Sequence, residues 1–319
     1  MRFLHITDTH YRASNPSGRK DDFPTAIQRK VQAALTWGMG NGIDAVLCSG
    51  DLYDSFNVAP VVGTRLAEMI QATRIPWKVI PGGHDLLSKN LALYDATMMG
   101  LLAVSLGPAL FEILPDAWNG GIADIGGVRV AGFHYRERGE GDVARGLESV
   151  AGKADIAMFH QMVVEAPKPV GFDHALVQTL PCCVPLSLFG DYHPGVARYE
   201  QNCTFINPGA VARMKRISSD MDRQPAALVI DTDIRADNGS YGLKMISLPC
   251  ERDVWHSDAD LMQMQAGELQ QFREHLGQLD AEKMSGYSPE QMVQVAAQQG
   301  GWDPEIVQLA LGALGEVEE

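Results

Sequence analysis

The chain opens with Phe3-Leu4-His5-Ile6-Thr7-Asp8-Thr9-His10, an apolar run that ends in a carboxylate and an imidazole two residues apart. The apolar run predicts a buried strand over residues 2–7. Residues i and i+2 of a strand point the same way, so Asp8 and His10 should reach one point in space, as metal ligands must. An Asp-x-His pair also occurs by chance in many chains, so the argument depends on ligands from later segments.

Length and composition predict an ordinary globular protein. With 319 residues, 45% of them hydrophobic and 21% charged, the chain is expected to form one large domain and a smaller one. No apolar run reaches the ~18 residues of a membrane span, and no signal peptide is recognisable, so we expect a cytoplasmic protein without membrane contact. The cysteines form no C-x-x-C pair and are expected to be reduced, mostly buried thiols. They are Cys48, Cys182, Cys183, Cys203 and Cys250.

The acidic residues are unevenly distributed. Residues 251–319 carry 14 acidic and 3 basic side chains, whereas residues 1–250 are close to neutral although the whole chain has a net charge of −14. The net negative charge of the whole chain argues against general affinity for nucleic acid. Because most of this charge lies in residues 251–319, the argument is weaker for residues 1–250. The change in composition predicts a domain over residues 1–250, followed by an acidic helical region over residues 251–319.

Polar residues follow three successive predicted strands, at residues 2–7, 43–48 and 77–80. Helices are predicted between these strands, so the strands should be parallel, with a ligand site outside their carboxyl ends. A helix over residues 91–102, a hairpin over 122–133 and further strands near 155–159, 185–189, 204–206, 227–230 and 243–248 are also predicted. The polar residues at strand ends are Asp8, His10, Asp51, His84, Asp85, His160, Asp191 and His193.

This set resembles the signature of the calcineurin-like metallophosphoesterases, which is D-x-H, G-D-x-x-D, G-N-H-D/E, a lone His, and G-H-x-H. The corresponding segments here are Asp8-x-His10, Gly50-Asp51-Leu52-Tyr53-Asp54, Gly82-Gly83-His84-Asp85, His160 and Gly190-Asp191-x-His193. The resemblance covers roughly residues 1–250. It implies a four-layer α/β/β/α sandwich, here with a small helical C-terminal appendage.

Within this family the chain resembles the SbcD-type DNA repair exonucleases, mainly in residues 4–10, 49–54 and 207–213. The resemblance implies a metal-dependent exonuclease or endonuclease that processes double-strand breaks in DNA, an SbcC-like coiled-coil ATPase as partner, and a homodimer. Two alternatives stay open. One is a phosphodiesterase for small nucleotides or other phosphoesters, and the other is a catalytically weakened, metal-bound structural subunit.

The resemblance also implies a binuclear metal site that clamps a phosphate and activates water for attack on the phosphodiester. Asp51 would bridge the ions, with Asp8, His10 and His193 at site one, and His160 with positions 83 and 191 at site two. His84 would act on the leaving group or the transition state, and Asp85 would orient its ring. Ligands of oxygen and nitrogen without thiolates favour Mn²⁺, with Mg²⁺, Fe or Zn²⁺ as alternatives.

The chain departs from the family pattern at two positions, and both belong to site two. Gly83 replaces an asparagine, and Asp191 replaces a histidine. We therefore expect weaker metal occupancy at site two than at site one.

Basic residues flank the predicted site loops, and each is either a contact for nucleic-acid phosphates or a solvated surface residue. Near the C-terminus, apolar residues recur at helical spacing over residues 269–279. This face either packs onto the body of the protein or docks the ATPase partner. The basic residues are Arg12, Arg19, Lys20, Arg213 and Lys215.

Overall fold

The computed structural model describes residues 1–16, 18–136, 142–168, 173–214, 218–236, 239–251, 254–257, 267–272, 274–276, 287–300, 306–308 and 310–311. The chain forms two compact units, Met1–Val254 and Trp255–Glu319. The domain boundary predicted after residue 250 stays a prediction.

The first sheet of the larger unit has six strands. Four consecutive strands, β1 to β4, pair in parallel, as the alternating strand and helix pattern predicts. Two later strands, β13 and β14, extend the sheet in antiparallel fashion, β13 next to β1. The strands are β1 (Arg2–Ile6), β2 (Ala45–Cys48), β3 (Trp77–Val79), β4 (Phe111–Ile113), β13 (Ala226–Arg235) and β14 (Tyr241–Ser247).

The second sheet also has six strands, in the order β11-β12-β10-β7-β6-β5. Its central strands β6, β7, β10 and β12 are parallel, while β5 and β11 pair antiparallel at the two edges. The strands are β5 (Ala123–Ile125), β6 (Val128–Phe133), β7 (Ile156–Phe159), β10 (Leu186–Phe189), β11 (Val196–Glu200) and β12 (Cys203–Asn207). A separate two-stranded sheet consists of β8 (Val163–Val164) and β9 (Ala175–Leu176).

Helices connect the strands and begin at recognisable caps. Asp22 accepts a hydrogen bond from the backbone N–H of Thr25, and Pro24 follows in the first turn of α1. The helix predicted over residues 91–102 is instead a 3₁₀ helix, Leu91–Ala96, followed by α3, because Thr97 caps α3 through its hydroxyl. Among the described residues, the α-helices whose bounds are complete are α1 (Phe23–Gly40), α2 (Pro60–Thr73), α3 (Met98–Leu106), α4 (Val143–Ser149), α5 (Ser218–Met221) and α6 (Pro289–Gly300), and the other 3₁₀ helices are Leu87–Lys89, Ala117–Asn119 and Val177–Thr179.

Three hydrophobic clusters define the layers of the larger unit. One cluster lies between the first sheet and α1 to α3, and contains Ile27, Leu66 and Met99. A second combines α4 with the second sheet. The third takes residues from both sheets, such as Leu47 and Met158, and therefore fills the space between them. This is the predicted α/β/β/α sandwich, and it brings the carboxyl ends of both sets of parallel strands to the functional site.

The smaller unit has a hydrophobic cluster of its own. Phe272 and Ala296 are fully buried there together with Val293 and Ile306. A capping box begins α6, where Ser288 and Gln291 exchange backbone and side-chain hydrogen bonds. The helical spacing expected for residues 269–279 is seen in residues 267–272 and 274–276; the rest of that segment lies outside the described residues.

The expectation of reduced cysteines is wrong for one pair. A disulfide joins Cys182 to Cys203, which are 21 residues apart in sequence. Of the other three cysteines, Cys48 is buried, whereas Cys183 is half-buried and Cys250 is exposed. The pairing of β10 with β12 in parallel brings the disulfide partners together, and sequence spacing alone does not show this.

Among the described residues, no helix combines the length and the apolar composition needed to cross a membrane.

Candidate metal centre

Asp8 and His10 lie in the loop after β1 and not on the strand itself. The strand ends at Ile6, so the i, i+2 rule of strands does not explain why the two side chains converge. Both residues adopt left-handed backbone conformations, with φ of 50° and 45°. Their backbone N–H groups donate to the carbonyls of Gly50 and Asp51 at 3.1 and 3.0 Å, which fixes this loop against the loop after β2.

Left-handed backbone recurs at the other predicted ligands. Asp51 has a φ of 48° and Asp191 a φ of 72°. Residues with side chains rarely adopt such angles, and each costs on the order of 1–3 kcal/mol unless its surroundings hold it in place. The concentration of this strain at four predicted ligands indicates that the loops are shaped for the site.

One group of donors consists of Asp8, His10 and His193, whose donor atoms lie within 4.8 Å of one another. The Nε2 atoms of His10 and His193 are 3.1 Å apart, and His193 Nε2 lies 4.0 Å from Asp8 Oδ1. Two imidazole nitrogens at this separation match neighbouring ligands of one metal ion, with metal–nitrogen distances of about 2.0–2.1 Å. This group contains three of the four ligands predicted for site one.

Asp51 connects this group to two further groups. Its Oδ2 lies 3.7 Å from His10 Nε2 and 3.3 Å from His160 Nε2. Asp8, Asp51 and His160 form one group of donors within 4.8 Å, and His10, Asp51 and His84 form another. The carboxylate predicted to bridge the two ions therefore belongs to two of the three donor groups, and its bridging role stays a prediction.

Backbone carbonyls orient two of the histidine rings. His160 Nδ1 lies 2.6 Å from the carbonyl of Ser49, and His84 Nδ1 lies 2.8 Å from that of Asp54. A carbonyl only accepts hydrogen bonds, so Nδ1 carries the proton in each ring. The Nε2 atom of His160 is then the one that faces Asp51, and it can serve as a metal ligand once it is deprotonated.

Burial and mutual charge strongly perturb the titration of these side chains. Burial, together with the carboxylates of Asp51 and Asp191, raises the pKa of Asp8 to about 7. Burial lowers the pKa of His10 well below its ordinary value. Burial alone would lower the pKa of His160, but the surrounding carboxylates raise it well above the ordinary range. Burial opposes ionisation of Asp51, yet the neighbouring histidines hold its pKa well below the usual value.

These residues fit a pair of divalent ions. The Asp8 and Asp51 carboxylates are fully or almost fully buried, and the ion-pair partners that the structure gives them are histidines. Buried carboxylates are costly without a compensating cation. His10 Nδ1 lies 3.7 Å from Asp54 Oδ1, which leaves Nε2 as the ring nitrogen that faces His193 and Asp51. Mixed oxygen and nitrogen donors without thiolates suit Mn²⁺ or similar ions.

The two departures from the family pattern lie in a cleft beside these groups. Gly83, Asp191, Asp51 and His160 line a cavity of about 350 Å³. The backbone N–H of Asp191 donates to Asp8 Oδ1 at 3.0 Å, which anchors its loop to the site. Ligation by Asp191 and weaker occupancy of site two stay predictions.

Asp85 does not orient the His84 ring, contrary to expectation. Its buried carboxylate accepts hydrogen bonds from the backbone N–H groups of Leu52, Tyr53 and Gly82, at 3.2, 2.9 and 2.9 Å. It therefore ties the loop after β2 to the loop after β3. The Asp54 carbonyl holds the His84 ring instead.

One basic residue predicted to contact nucleic acid, Arg19, is buried in the structure. The Arg19 side chain is 1% exposed, pairs with Asp21 at 2.6 Å and donates to the carbonyl of Arg213. Arg213 itself donates to the carbonyls of Met221 and Glu251. The Arg19 guanidinium thus stabilises the loops instead of facing a ligand, whereas Arg213 is half-buried and its contact with nucleic acid stays a prediction.

The other predicted phosphate contacts stay predictions. Arg12 pairs with Asp54 at 3.1 Å at the edge of the cleft, and Lys20 is exposed. Lys215 lies outside the described residues.

Tyr135 and Lys89 also line the cleft, and the sequence analysis did not identify them. Tyr135 follows β6, which is parallel to β7, the strand that leads to His160. Its position after a parallel strand is the same signal that identifies the ligands, but the sequence pattern over residues 122–133 predicts only a hairpin. Lys89 ends the 3₁₀ helix Leu87–Lys89, so it does not directly follow a strand as the predicted ligands do.

Comparison with known proteins identifies the class of protein. The family model for calcineurin-like phosphoesterases matches residues 1–167, more than half of the chain. The chain belongs to this family of metal-dependent phosphoester hydrolases.

A curated relative is the DNA double-strand break repair protein Mre11 of Sulfurisphaera tokodaii, which is 29% identical over 103 residues. The match covers 31% of this chain and 26% of the relative, so the chain matches about a quarter of that protein's length.

Two solved structures are similar at low sequence identity. A dimetal phosphatase from Danio rerio is 10% identical, with a TM-score of 0.47 over 81% of this chain and 99% of that one. The protein TT1561 of Thermus thermophilus is 12% identical, with a TM-score of 0.45 over 77% of this chain and 98% of that one.

Proposed function

We propose that the protein is an SbcD-like nuclease that hydrolyses DNA phosphodiesters during double-strand break processing. The observation that carries the phosphodiesterase chemistry is the convergence of four donor residues, Asp8, His10, His160 and His193, around Asp51, with the exposed His84 ring beside them. The similarity to Mre11 and the SbcD-like segments at residues 4–10, 49–54 and 207–213 support DNA as the substrate. The proposal includes Mn²⁺ as the metal, a homodimer, an SbcC-like coiled-coil ATPase as partner, and a cytoplasmic location.

Each part of the site has a defined task in this proposal. The ions, when bound, polarise the phosphate and supply the nucleophile at neutral pH. Asp8, His10, Asp51, His160, Asp191 and His193 would hold them. His84 has its Nδ1 proton fixed on the Asp54 carbonyl at 2.8 Å, which leaves Nε2 facing the substrate. A protonated Nε2 donates to the leaving oxygen, and the exposure of the ring allows this contact.

The assay measures Mn²⁺-dependent release of nucleotides from linear duplex DNA, with and without an SbcC-like ATPase. We expect His84→Ala to lower the rate by about 100-fold or more, the range for loss of a positioned proton donor. His174→Ala is the matched control, because His174 lines a separate cavity with Asp142 and Val143. Its rate should equal that of the unchanged protein.

A parallel assay with bis(p-nitrophenyl) phosphate separates the alternatives. Hydrolysis of this small diester without cleavage of DNA would refute the nuclease proposal and support a phosphodiesterase for small substrates. Bound metal without turnover of either substrate would instead support a structural subunit.

A further inference from the structure

The ring of Tyr135 covers Gly83 at the edge of the metal centre. A side chain at position 83 would place its first carbon 3.3 Å from Tyr135 Cζ and 3.4 to 3.5 Å from the two Cε atoms. These three atoms form the hydroxyl end of the ring. The polar end of Tyr135 thus lies over the position where the chain lacks a side chain.

The backbone around Tyr135 is held firmly in this position. Its own N–H donates to the carbonyl of Pro81 at 3.1 Å, two residues before Gly83. The preceding residue, His134, contacts the Leu114 carbonyl through Nε2 at 2.7 Å. Gln161, which directly follows a predicted ligand, donates to the carbonyl of Arg136 at 2.9 Å. Such anchoring on both sides is what a preorganised contact to a substrate requires.

Tyr135 is also part of the lining of the cleft. Tyr135 is half-buried and shares the cleft with Asp51, His160 and Asp191, and its ring centroid lies 6.0 Å from that of His160. The nearby carboxylates of Asp51 and Asp191 only accept hydrogen bonds when ionised, and a phosphate also needs donors. A phenol is uncharged at neutral pH and donates one proton.

We propose that Tyr135 is a substrate-binding residue whose hydroxyl donates a hydrogen bond to a non-bridging oxygen of the phosphate at the metal centre. The residue would strengthen binding at the point where Gly83 provides no polar group. This inference rests on the phosphoester chemistry of the family and does not require DNA as the substrate.

The test compares Tyr135→Phe with the unchanged protein on bis(p-nitrophenyl) phosphate. The substitution removes one oxygen and keeps the ring that packs on Gly83. We expect kcat/KM to fall about 10- to 100-fold, as on loss of a donor to a phosphate or oxyanion. Tyr199→Phe is the control, because Tyr199 is 62% exposed on β11 and does not line the cleft.

Two measurements without turnover complete the test. The affinity for inorganic phosphate, measured by calorimetry with Mn²⁺ present, should fall in Tyr135→Phe and not in Tyr199→Phe. The metal content per chain should stay the same in all three proteins.

Unchanged phosphate affinity together with kcat/KM within about twofold of the unchanged protein would overturn the proposal. A loss of bound metal in Tyr135→Phe would also overturn it, because the phenol would then act on the ions and not on the phosphate. If the diester is not hydrolysed at all, the phosphate affinities decide. Cleavage of the diester but not of DNA would refute the proposed nuclease function and leave this inference intact.

Discussion

Asp51 is the residue on which the metal centre depends most. Its carboxylate lies within 3.7 Å of two histidines, it accepts a hydrogen bond from the backbone N–H of His84, and its own backbone is left-handed. A carboxylate at this position compensates the charge of the cations and fixes the loop that carries His84. Bound ions would stabilise these loops and so offset the strain at Asp8, His10, Asp51 and Asp191.

Bound metal should therefore stabilise the fold. At a free Mn²⁺ concentration 100 times the dissociation constant, we expect the free energy of unfolding to rise by about 2.7 kcal/mol. Asp51→Asn should lose most of this gain, because the ligand shared by the donor groups loses its charge. Urea unfolding with Mn²⁺ or with a chelator measures the difference. An equal gain in Asp51→Asn would show that the metal stabilises the chain elsewhere.

The second ion should bind more weakly than the first. A Mn²⁺ titration is expected to show two steps, and anomalous diffraction without added metal should show unequal peaks. Asparagine at position 83 adds a neutral oxygen ligand, but its Cβ would press on the Tyr135 ring at 3.3 Å. We expect Gly83→Asn to increase the Mn²⁺ affinity of the second step only if the Tyr135 ring shifts by a few tenths of an ångström. Equal, full peaks at both sites in the unchanged protein would contradict this account.

His5 should make the protein sensitive to acid. Burial lowers the pKa of His5 to about 3, and its Nε2 is hydrogen-bonded to Ser49 Oγ at 2.9 Å. In the unfolded chain this histidine has a pKa of about 6.5, so it takes up a proton only on unfolding as the pH falls below that value. Its contribution to stability is complete above pH 6.5 and decreases progressively towards pH 3.

The unchanged protein should therefore lose about 2 kcal/mol more stability than His5→Gln between pH 7 and pH 5. Chemical unfolding at a series of pH values compares the two profiles. The absolute stability of the variant does not matter for this test, because only the slopes are compared. Parallel profiles would show that His5 is not neutral in the folded state.

At the scale of elements, the sequence predicted the strands well but not the conformation of the loops that follow them. The apolar runs at residues 2–7 and 43–48 correspond to β1 and β2, because burial on both faces selects such runs. The left-handed backbone at Asp8 and His10 depends on hydrogen bonds to the loop after β2, which are tertiary contacts. The local pattern contains no information on them.

Three further features also depend on contacts that the local sequence pattern does not show. Tyr135 is not a metal-ligand type, and its place over Gly83 follows from the way the loop after β6 meets the loop after β3. The break at Thr97 depends on a single capping hydroxyl within an otherwise apolar stretch. The Asp85 carboxylate accepts hydrogen bonds from three backbone N–H groups. The spacing of the predicted ligands does not indicate this role.

The disulfide should stabilise the second sheet. Cys182 precedes β10 and Cys203 begins β12, and the bond closes a loop over a sequence separation of 21 residues. A loop of this size corresponds to about 3 kcal/mol of lost entropy in the unfolded chain. We expect a reductant and Cys182→Ser to lower the free energy of unfolding by similar amounts.

Cys183→Ser is the matched control, because the neighbouring thiol is free and half-buried. It should leave the effect of the reductant unchanged. Alkylation of the unfolded, unreduced chain should label three cysteines. Labelling of all five in protein purified without reductant would contradict the disulfide.

At the scale of the whole molecule, the chemistry and the negative charge belong to different units. All the predicted ligands lie in Met1–Val254, whereas most of the excess acidic charge lies in residues 251–319. The smaller unit has its own buried cluster around Phe272 and Ala296, so its helices do not depend on the site for their packing. Under the proposed function, this unit would serve association with the ATPase partner.

A shortened chain that ends after Val254 should then keep the metal centre but no longer bind the ATPase partner. We expect its kcat/KM for bis(p-nitrophenyl) phosphate to stay within about threefold of the full chain, because no predicted ligand is removed. Stimulation of DNA cleavage by an SbcC-like ATPase should disappear, since the proposed docking helices are absent. Circular dichroism and metal content verify that the shortened chain is folded. Full stimulation of the shortened chain would place the ATPase contact on the larger unit, and loss of diester hydrolysis in a folded, metal-loaded chain would show that the acidic unit contributes to catalysis.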